Sequence, residues 1–491
     1  MKAINKLKYI GIALLGFMLQ SCEKDMEELA SQNPNSPESL KSEWFLTSAE
    51  KEFMDNMWDE WINARTGMFY AQYWSATAYT EESRYRIRES VNRTFWRAFY
   101  SSLIDLEEAK SLAQQEEGTQ NKIAIANIMK AWAFHVMSDQ YGALPLMDAL
   151  NPDILSPSYD SQEAVYDEIL AMLEMAVNNL DETGESYGSG DLIYGGDPTM
   201  WKKFANSLRL RVALRMADVN DAKASAVFTA VANDPSNIMG SNSDNALFPY
   251  QTANPNNNPI NENAKTRTDF AVSETMVSYM DSLNDPRLAI YARPAVNTGT
   301  YIGLEYGLSN AQATAIPNDD VSLPGEAVEA ANAPGIYMLY SEVCFMMAEA
   351  HARGWGVTGS GPQWFEDGIR SSMEFWGVSD QAAIDSYVME QGFNDGDWKN
   401  VIGTQKWLAL YMQGLQGWYE FTRLDFKKVT GEDLIMLPAA GSMDPELSGI
   451  FPQRMTYPDE EYTLNEANVL GAGAELSSGD SKASKLWWDV F

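Results

Sequence analysis

The chain has 491 residues, a formal net charge of -34, 45% hydrophobic residues and 12% aromatic residues. That length exceeds the size at which single hydrophobic cores usually stop growing, about 250–300 residues, so it implies two domains or one elaborated fold. The apolar content excludes overall disorder, and the strong negative charge argues against nucleic acid and anionic membrane surfaces as partners.

The chain opens with Lys2, Lys6 and Lys8, followed by an apolar run over residues 9–19 that is too short for a permanent membrane span. Leu19-Gln20-Ser21-Cys22 closes this stretch. The layout is that of a secretory signal, and the cysteine at the cut reads as a bacterial lipoprotein signal. Residues 1–21 are therefore predicted to be removed, leaving Cys22 as an acylated lipid anchor. The alternative is an ordinary signal peptide with a cysteine near its cleavage site. An acylated Cys22 would leave Cys344 as the sole thiol, with no intramolecular disulfide and an apolar setting that suits a buried hydrophobe. Residues 22–41 read as a flexible tether, acidic at Glu23, Asp25, Glu27 and Glu28, then broken by Pro34 and Pro37. Residues 42–491 are expected to form a single domain.

From Glu43 the pattern is helical, with Phe45, Ala49, Phe53, Met57 and Trp61 recurring every four residues. Residues 69–90 break the regularity. Helices are then predicted over residues 91–112, 123–140 and 161–180. The second is closed by Gly142 and Pro145, which suit a left-handed cap and a stop. Asp197-Pro198 marks the clearest helix start, with Trp201, Phe204, Leu208, Val212 and Met216 on one stripe and Arg209, Arg211 and Arg215 off it, for solvent or salt-bridge duty. Residues 233–267 and 292–335 read as long loops. Further helices are predicted over residues 270–283, 336–355 and 404–424, with a loop-like tail from Leu434. No strand signal of comparable strength appears. The expected fold class is all-α: helix pairs joined by very unequal loops.

Catalytic parts are scarce. His135 and His351 both fall within helices, where a structural role is the simpler reading, and there is no cysteine–histidine cluster, phosphate loop or dinucleotide fingerprint. Asn318-Asp319-Asp320 and Asp395-Gly396-Asp397 carry oxygen ligands of the calcium type but also suit plain turns. No metal, no cofactor and no catalytic residue is assigned. A glycosidase needs only two carboxylates, and no pair stands in a recognisable setting.

Aromatic clustering is what remains. Five Trp and five Tyr lie between Trp44 and Tyr100. Flat rings with polar edges suit the C–H faces and hydroxyl rims of sugars. Trp58, Trp61, Trp96 and Phe99 sit at helical spacing and are expected in the core, whereas Trp74, Tyr79 and Tyr85 fall in the irregular stretch beside Arg84 and Arg86. A second candidate is the glycine-flanked pair Tyr301 and Tyr306.

Several blocks together resemble one family: Ser138-Asp139-Gln140-Tyr141-Gly142-Ala143-Leu144-Pro145, then Gly195 to Arg209, Ser341 to Ala350, Gln405-Lys406-Trp407, Phe451 to Pro458, and Glu461 to Asn468. With the lipoprotein start, their order is similar to that of the SusD/RagB family of nutrient-binding outer-membrane lipoproteins from Bacteroidetes. The resemblance implies a SusD-like helical fold with tetratricopeptide-like helix pairs and inserted ligand-binding loops. It further implies a SusC-like TonB-dependent barrel as partner, with the lipoprotein as a lid on the cell's outer face. The ligand implied is a glycan oligosaccharide, or a peptide in RagB-like members; the rival from another class is a surface glycoside hydrolase. The family's loop positions correspond to residues 69–90 and 297–320. On that basis Tyr73, Trp74, Tyr79, Arg84, Tyr85, Tyr301 and Tyr306 are the expected ligand-binding residues.

Overall fold

The computed structural model describes residues 40–439 and 441–491, so the expected signal, the Cys22 anchor and most of the tether lie outside the described residues. Residues Ser42–Phe491 form one compact unit.

Its first half is a run of helices, each packed on the next: α1 (Ser42–Met57), α2 (Glu89–Ala113), α3 (Thr119–Tyr141), α4 (Gln162–Asn179), α5 (Pro198–Arg215) and α6 (Asp221–Ala232). Local chemistry sets the ends where the sequence indicated. Gly142, at φ 91°, follows α3 and donates its N–H to Ser138 O at 2.8 Å. Asp197 caps α5, its Oδ1 accepting from Thr199 N at 2.8 Å, with Pro198 in the first turn.

The second half carries α7 (Glu274–Ser282), α8 (Tyr340–Ala352), α9 (Gly361–Phe375), α10 (Gln381–Gln391), α11 (Trp398–Ala409), α12 (Gly414–Leu424) and α13 (Glu466–Ala474). Helix α8 packs on α9 and α11, and α11 on α12. Among the described residues four short strands form two antiparallel pairs: β1 (Trp74–Ala76) with β3 (Phe270–Val272), and β2 (Ala246–Phe248) with β4 (Gly335–Met338).

Three expected helices change form. The segment at 270–283 begins as β3, and α7 starts only after Ser273, whose Oγ accepts from Met276 N at 3.0 Å. The segment at 336–355 begins as β4 before α8. The segment at 404–424 is two helices, because Met412 takes a left-handed φ of 69° between α11 and α12. Helices α6, α9 and α10 lie outside the helices expected from the sequence, and α13 interrupts the tail expected to be loop-like.

The core contains more charge than the stripe pattern suggests. Arg215 pairs with Asp139 at 3.1 Å and Glu420 at 2.9 Å. Arg423 grips Glu349 through two bonds of 2.7 Å and reaches Glu420 at 2.7 Å, while Lys406 meets Glu420 at 3.0 Å and Arg211 meets Glu342 at 2.6 Å. All of these side chains are buried. Arg211 and Arg215 therefore have the salt-bridge role of the two expected, inside the core rather than at the surface. The network joins α3 and α5 to α8, α11 and α12, fixing the two halves in register.

Candidate functional site

After α1, Asp59 caps a π-helical segment, Glu60–Gly67, its carboxylate accepting from Trp61 N at 2.9 Å and Ile62 N at 2.5 Å. The wider turn is seen directly in Ala64 N donating to Asp59 O, five residues back, at 3.2 Å. The segment lies against α12 at the closest approach backbones allow. A Cβ on Gly414 would fall 2.3 Å from the Gly67 carbonyl carbon, so both positions require glycine. Asn63 completes the junction, donating to Met412 O at 3.0 Å and accepting from Gly414 N at 3.3 Å.

With residues 62–67 turned inward, Trp61 remains half-buried at the surface. It belongs to a row in which guanidinium groups and rings alternate. Arg88 lies 4.7 Å from the Trp61 ring and Arg65 5.1 Å from it; Arg65 is also 5.8 Å from the Tyr79 ring, and Arg267 lies 5.3 Å from Tyr79. Phe270 backs Arg65 at 5.2 Å. Such contacts are worth about 0.5–1 kcal/mol at exposed sites and more when desolvated. The cations are held by carboxylates. Asp269 pairs with Arg65 at 2.9 Å and Arg267 at 2.6 Å, Glu60 with Arg65 at 3.3 Å, and Glu82 with Arg88 at 3.0 Å. Arg65 is buried, whereas the side chains of Arg88 and Arg267 are 41% and 42% exposed and Tyr79 is 51% exposed. A pocket of about 280 Å³ opens beside the row, lined by Asp59, Trp61, Ile62, Arg88, Val91 and Thr94 among others. Burial pushes the Asp59 carboxyl up to about 7 despite its bonds from Ile62 and Trp61. Burial also raises Glu82, against the opposing pull of Arg88 and Arg65.

The arrangement is a row of rings interleaved with guanidinium groups, of which Arg88 and Arg267 are exposed enough to donate to hydroxyls. It has no poised nucleophile. His135 is buried and held down at about 4 by that burial, and burial pushes the Cys344 thiol up to about 12. Among the described residues no group of three or more metal-type side chains converges. Asn318–Asp320 and Asp395–Asp397 are short turns, with Asn297 bonded to Asp320 at 2.6 Å and Asn400 to Asp397 at 2.7 Å.

Of the expected ligand-binding residues, only Tyr79 stands in the row. Trp74 is 0% exposed, stacked on Phe270 at 5.4 Å and donating Nε1–H to Tyr411 Oη at 2.9 Å. Tyr73 is equally buried, its hydroxyl on Trp407 O at 2.5 Å. Tyr85 lies inside against Tyr70 and Phe451, and Tyr306 is buried 6.2 Å from Tyr85. These four are corrected to core positions: β1 pairs with β3 at Trp74, Tyr73 just before it packs on Trp407, and Tyr306 packs on Tyr85, which sits at a left-handed turn. Arg84 ties loops together, donating to Thr80 O at 3.1 Å and Ser442 O at 3.4 Å. Tyr301 is half-buried against the main core, on a loop with its own small cluster of Leu304, Leu308, Ala313 and Val321. Trp58, Trp96 and Phe99 are buried as expected. Trp61 is the residue that helical spacing misassigned. The available signal was Asp59, a capping residue type set between two tryptophans. Arg267 had no signal beyond its place in a polar loop.

A family profile of SusD-like proteins, described as "Starch-binding associating with outer membrane", matches residues 34–458. Among solved structures, the fold is similar to that of a chitin-binding protein, with 24% identity, a TM-score of 0.82, and 92% of this chain and 100% of that one covered. It is also similar to a chitin-binding SusD homologue from Flavobacterium johnsoniae, with 21% identity, a TM-score of 0.77, and 91% and 98% covered. A SusD homologue from Bacteroides uniformis shares 25% identity at a TM-score of 0.78, with 91% and 100% covered. No curated protein matches the chain in sequence. The profile match spans most of the helical stack and the site segment together, and the chain therefore belongs to the SusD-like family of starch-binding, outer-membrane-associating proteins.

Proposed function

We propose that the protein is a surface lipoprotein that binds oligosaccharides and delivers them to a SusC-like TonB-dependent barrel in the outer membrane, performing no chemistry itself. The observation that carries the binding step is the row Arg88, Trp61, Arg65, Tyr79, Arg267 on an open face. A sugar lying there meets the exposed parts of Trp61 and Tyr79 while Arg88 and Arg267 donate to its hydroxyls. Glu60, Asp269 and Glu82 are each engaged by arginine and the Asp59 carboxyl is engaged by Trp61 N and Ile62 N, which supports binding over hydrolysis. A peptide-binding lid is the alternative within the same family. Peptide capture by strand addition requires an open sheet edge, and β1, β3 and β4 are buried throughout while β2 is partly exposed only at Leu247. That favours the glycan.

Calorimetric titration of the mature protein with oligosaccharide panels tests the reading. Trp61→Ala is expected to weaken binding about tenfold, a difference of about 1.4 kcal/mol. Unchanged affinity removes the site. Incubation with the same sugars is expected to release no new reducing ends; their appearance would favour the glycosidase. Gentle detergent extraction is expected to bring a large barrel protein along, and Cys22→Ala to abolish surface retention without altering affinity.

A further inference from the structure

The two exposed arginines of the row are held in the same way. The Arg88 guanidinium lies 4.7 Å from the Trp61 ring, and its Nε is 3.0 Å from Glu82 Oε1. The Arg267 guanidinium lies 5.3 Å from the Tyr79 ring, and its Nε donates to Asp269 Oδ2 at 2.6 Å. Glu82 and Asp269 are buried, whereas both arginine side chains reach solvent. Arg88 also lines the pocket of about 280 Å³ beside Trp61. Among the described residues, nothing accepts a hydrogen bond from its two terminal nitrogens.

A guanidinium braced by a ring and a carboxylate keeps one orientation, and its free edge presents two parallel N–H donors. A group with two anionic oxygens takes both at once, through bonds about twice as strong as those to a neutral acceptor. The local charge permits it. Within the row three guanidinium groups match three carboxylates, and the ends that meet solvent are the cations Arg88 and Arg267. The chain carries -34 overall, yet residues 84–97 hold five arginines against one acid, Glu89. Charges beyond about 8 Å are largely screened at physiological ionic strength, so the near balance outweighs the total. Asp59, the acid lining the pocket, is pushed up to about 7 by burial and carries less than a full charge in neutral solution.

We infer that the row selects an acidic oligosaccharide, one whose uronic-acid carboxylate or sulfate ester is received by the free edge of Arg88, with Arg267 placed to meet a further acidic group. The assignment rests on the glycan-binding reading above and names the substrate class within it.

The test titrates pairs of oligomers that differ in charge into the mature protein. Uronic acid pentamers of α-1,4 and β-1,4 linkage are set against their methyl esters, and sulfated glucose pentaose against the unsulfated sugar. An acidic member is expected to bind about tenfold tighter than its neutral counterpart, a uronate where the anion is a carboxylate and the sulfated sugar where it is an ester. Raising salt from about 50 mM to about 500 mM should erase most of that preference and leave the neutral affinities unchanged. Arg88→Gln is expected to remove most of the preference, and Arg88→Lys, which keeps the charge without the fork, to restore only its salt-sensitive part; a thermal scan shows that each variant is folded. Equal affinity within every pair, a preference unchanged by salt, or one that survives Arg88→Gln overturns the assignment and leaves the glycan reading standing. Binding of no sugar, with tight binding of an acidic peptide, overturns both.

Discussion

Replacing Trp74 by Ala separates the core from the site more sharply than any other single change. Trp74 has no exposed surface, stacks on Phe270 and donates to the Tyr411 hydroxyl, which itself donates to Tyr291 O at 3.0 Å. Truncating a buried aromatic of this size costs about 3–5 kcal/mol through lost transfer energy and a residual cavity. Unfolding entropy near 2.1 cal/mol/K per residue over roughly 450 residues gives about 0.9 kcal/mol/K, so Tm should fall by about 3–5 °C. Trp74→Phe, which keeps a ring and loses the bond, should fall by about 1–2 °C. Differential scanning calorimetry and sugar titration of the same samples give the answer. Trp74→Ala should lose stability and keep its affinity at temperatures where it is folded, while Trp61→Ala should do the reverse. A Trp74→Ala protein with unchanged Tm and weakened binding would refute the placement of the ring and the reading of the site built on it.

Arg423→Met should lower Tm by about 3–5 °C, because it leaves Glu349 and Glu420 buried with fewer partners, a loss of about 3–5 kcal/mol; a thermal scan checks it. Stability should also fall in acid in two stages. Burial holds His135 at about 4, below its ordinary 6.5, so the unfolded chain takes up this proton first and stability drops as pH falls below about 6.5. Burial opposes ionisation of Glu349, but Arg423 and Arg353 outweigh it and hold the carboxyl at about 2, so a second loss begins below about 4.5. A Tm flat from pH 7 to pH 3 would contradict both. Asp59→Asn should raise Tm at pH 8 by about 1–2 °C and have little effect at pH 4. The Asp59 carboxyl, raised to about 7 by burial, favours the fold while protonated and loses that contribution as pH rises through 7; the amide oxygen keeps the cap.

The helical stack was legible because its signals are local. Asp197 with Pro198, Gly142 after Tyr141, and apolar residues at helical spacing each state their own backbone conformation, and the structure follows them. The misplaced rings were not legible for the opposite reason. Trp74 faces inward because it pairs with Val272, nearly two hundred residues away, and Tyr85 because it meets Phe451, farther still. Irregular sequence is not the same as exposed sequence. The buried ionic network was hidden in the same way: Arg215 reads as a polar residue off a stripe until Asp139 and Glu420 are brought to it from other helices.

What made the stretch from Asp59 to Arg88 hard to read is also what makes it suitable as a site. It contains the π-helical segment and three non-glycine residues at positive φ, Gln72 at 55°, Tyr79 at 54° and Tyr85 at 65°. Conformations of that kind cost of order 1–3 kcal/mol each and persist only where surrounding contacts over-determine them. Here the contacts are visible. Gln72 is buried and its side-chain oxygen accepts from Thr275 Oγ1 at 2.9 Å and Met436 N at 3.0 Å, while Tyr73, Trp74 and Tyr85 sink their rings into the core. Tyr79 N donates to Asn310 Oδ1 at 2.7 Å, which fixes the turn that lifts its ring into solvent. The Asn310 bond is therefore what holds the exposed ring in place. A surface ring held in this way loses little conformational freedom when a ligand covers it, so more of the contact energy remains as affinity. On this argument Asn310→Ala, which frees the Tyr79 turn without touching any ring, should weaken sugar binding through a less favourable binding entropy, with Tm nearly unchanged. Calorimetry that found the loss in enthalpy alone would show that Asn310 acts by contact rather than by holding Tyr79 in place.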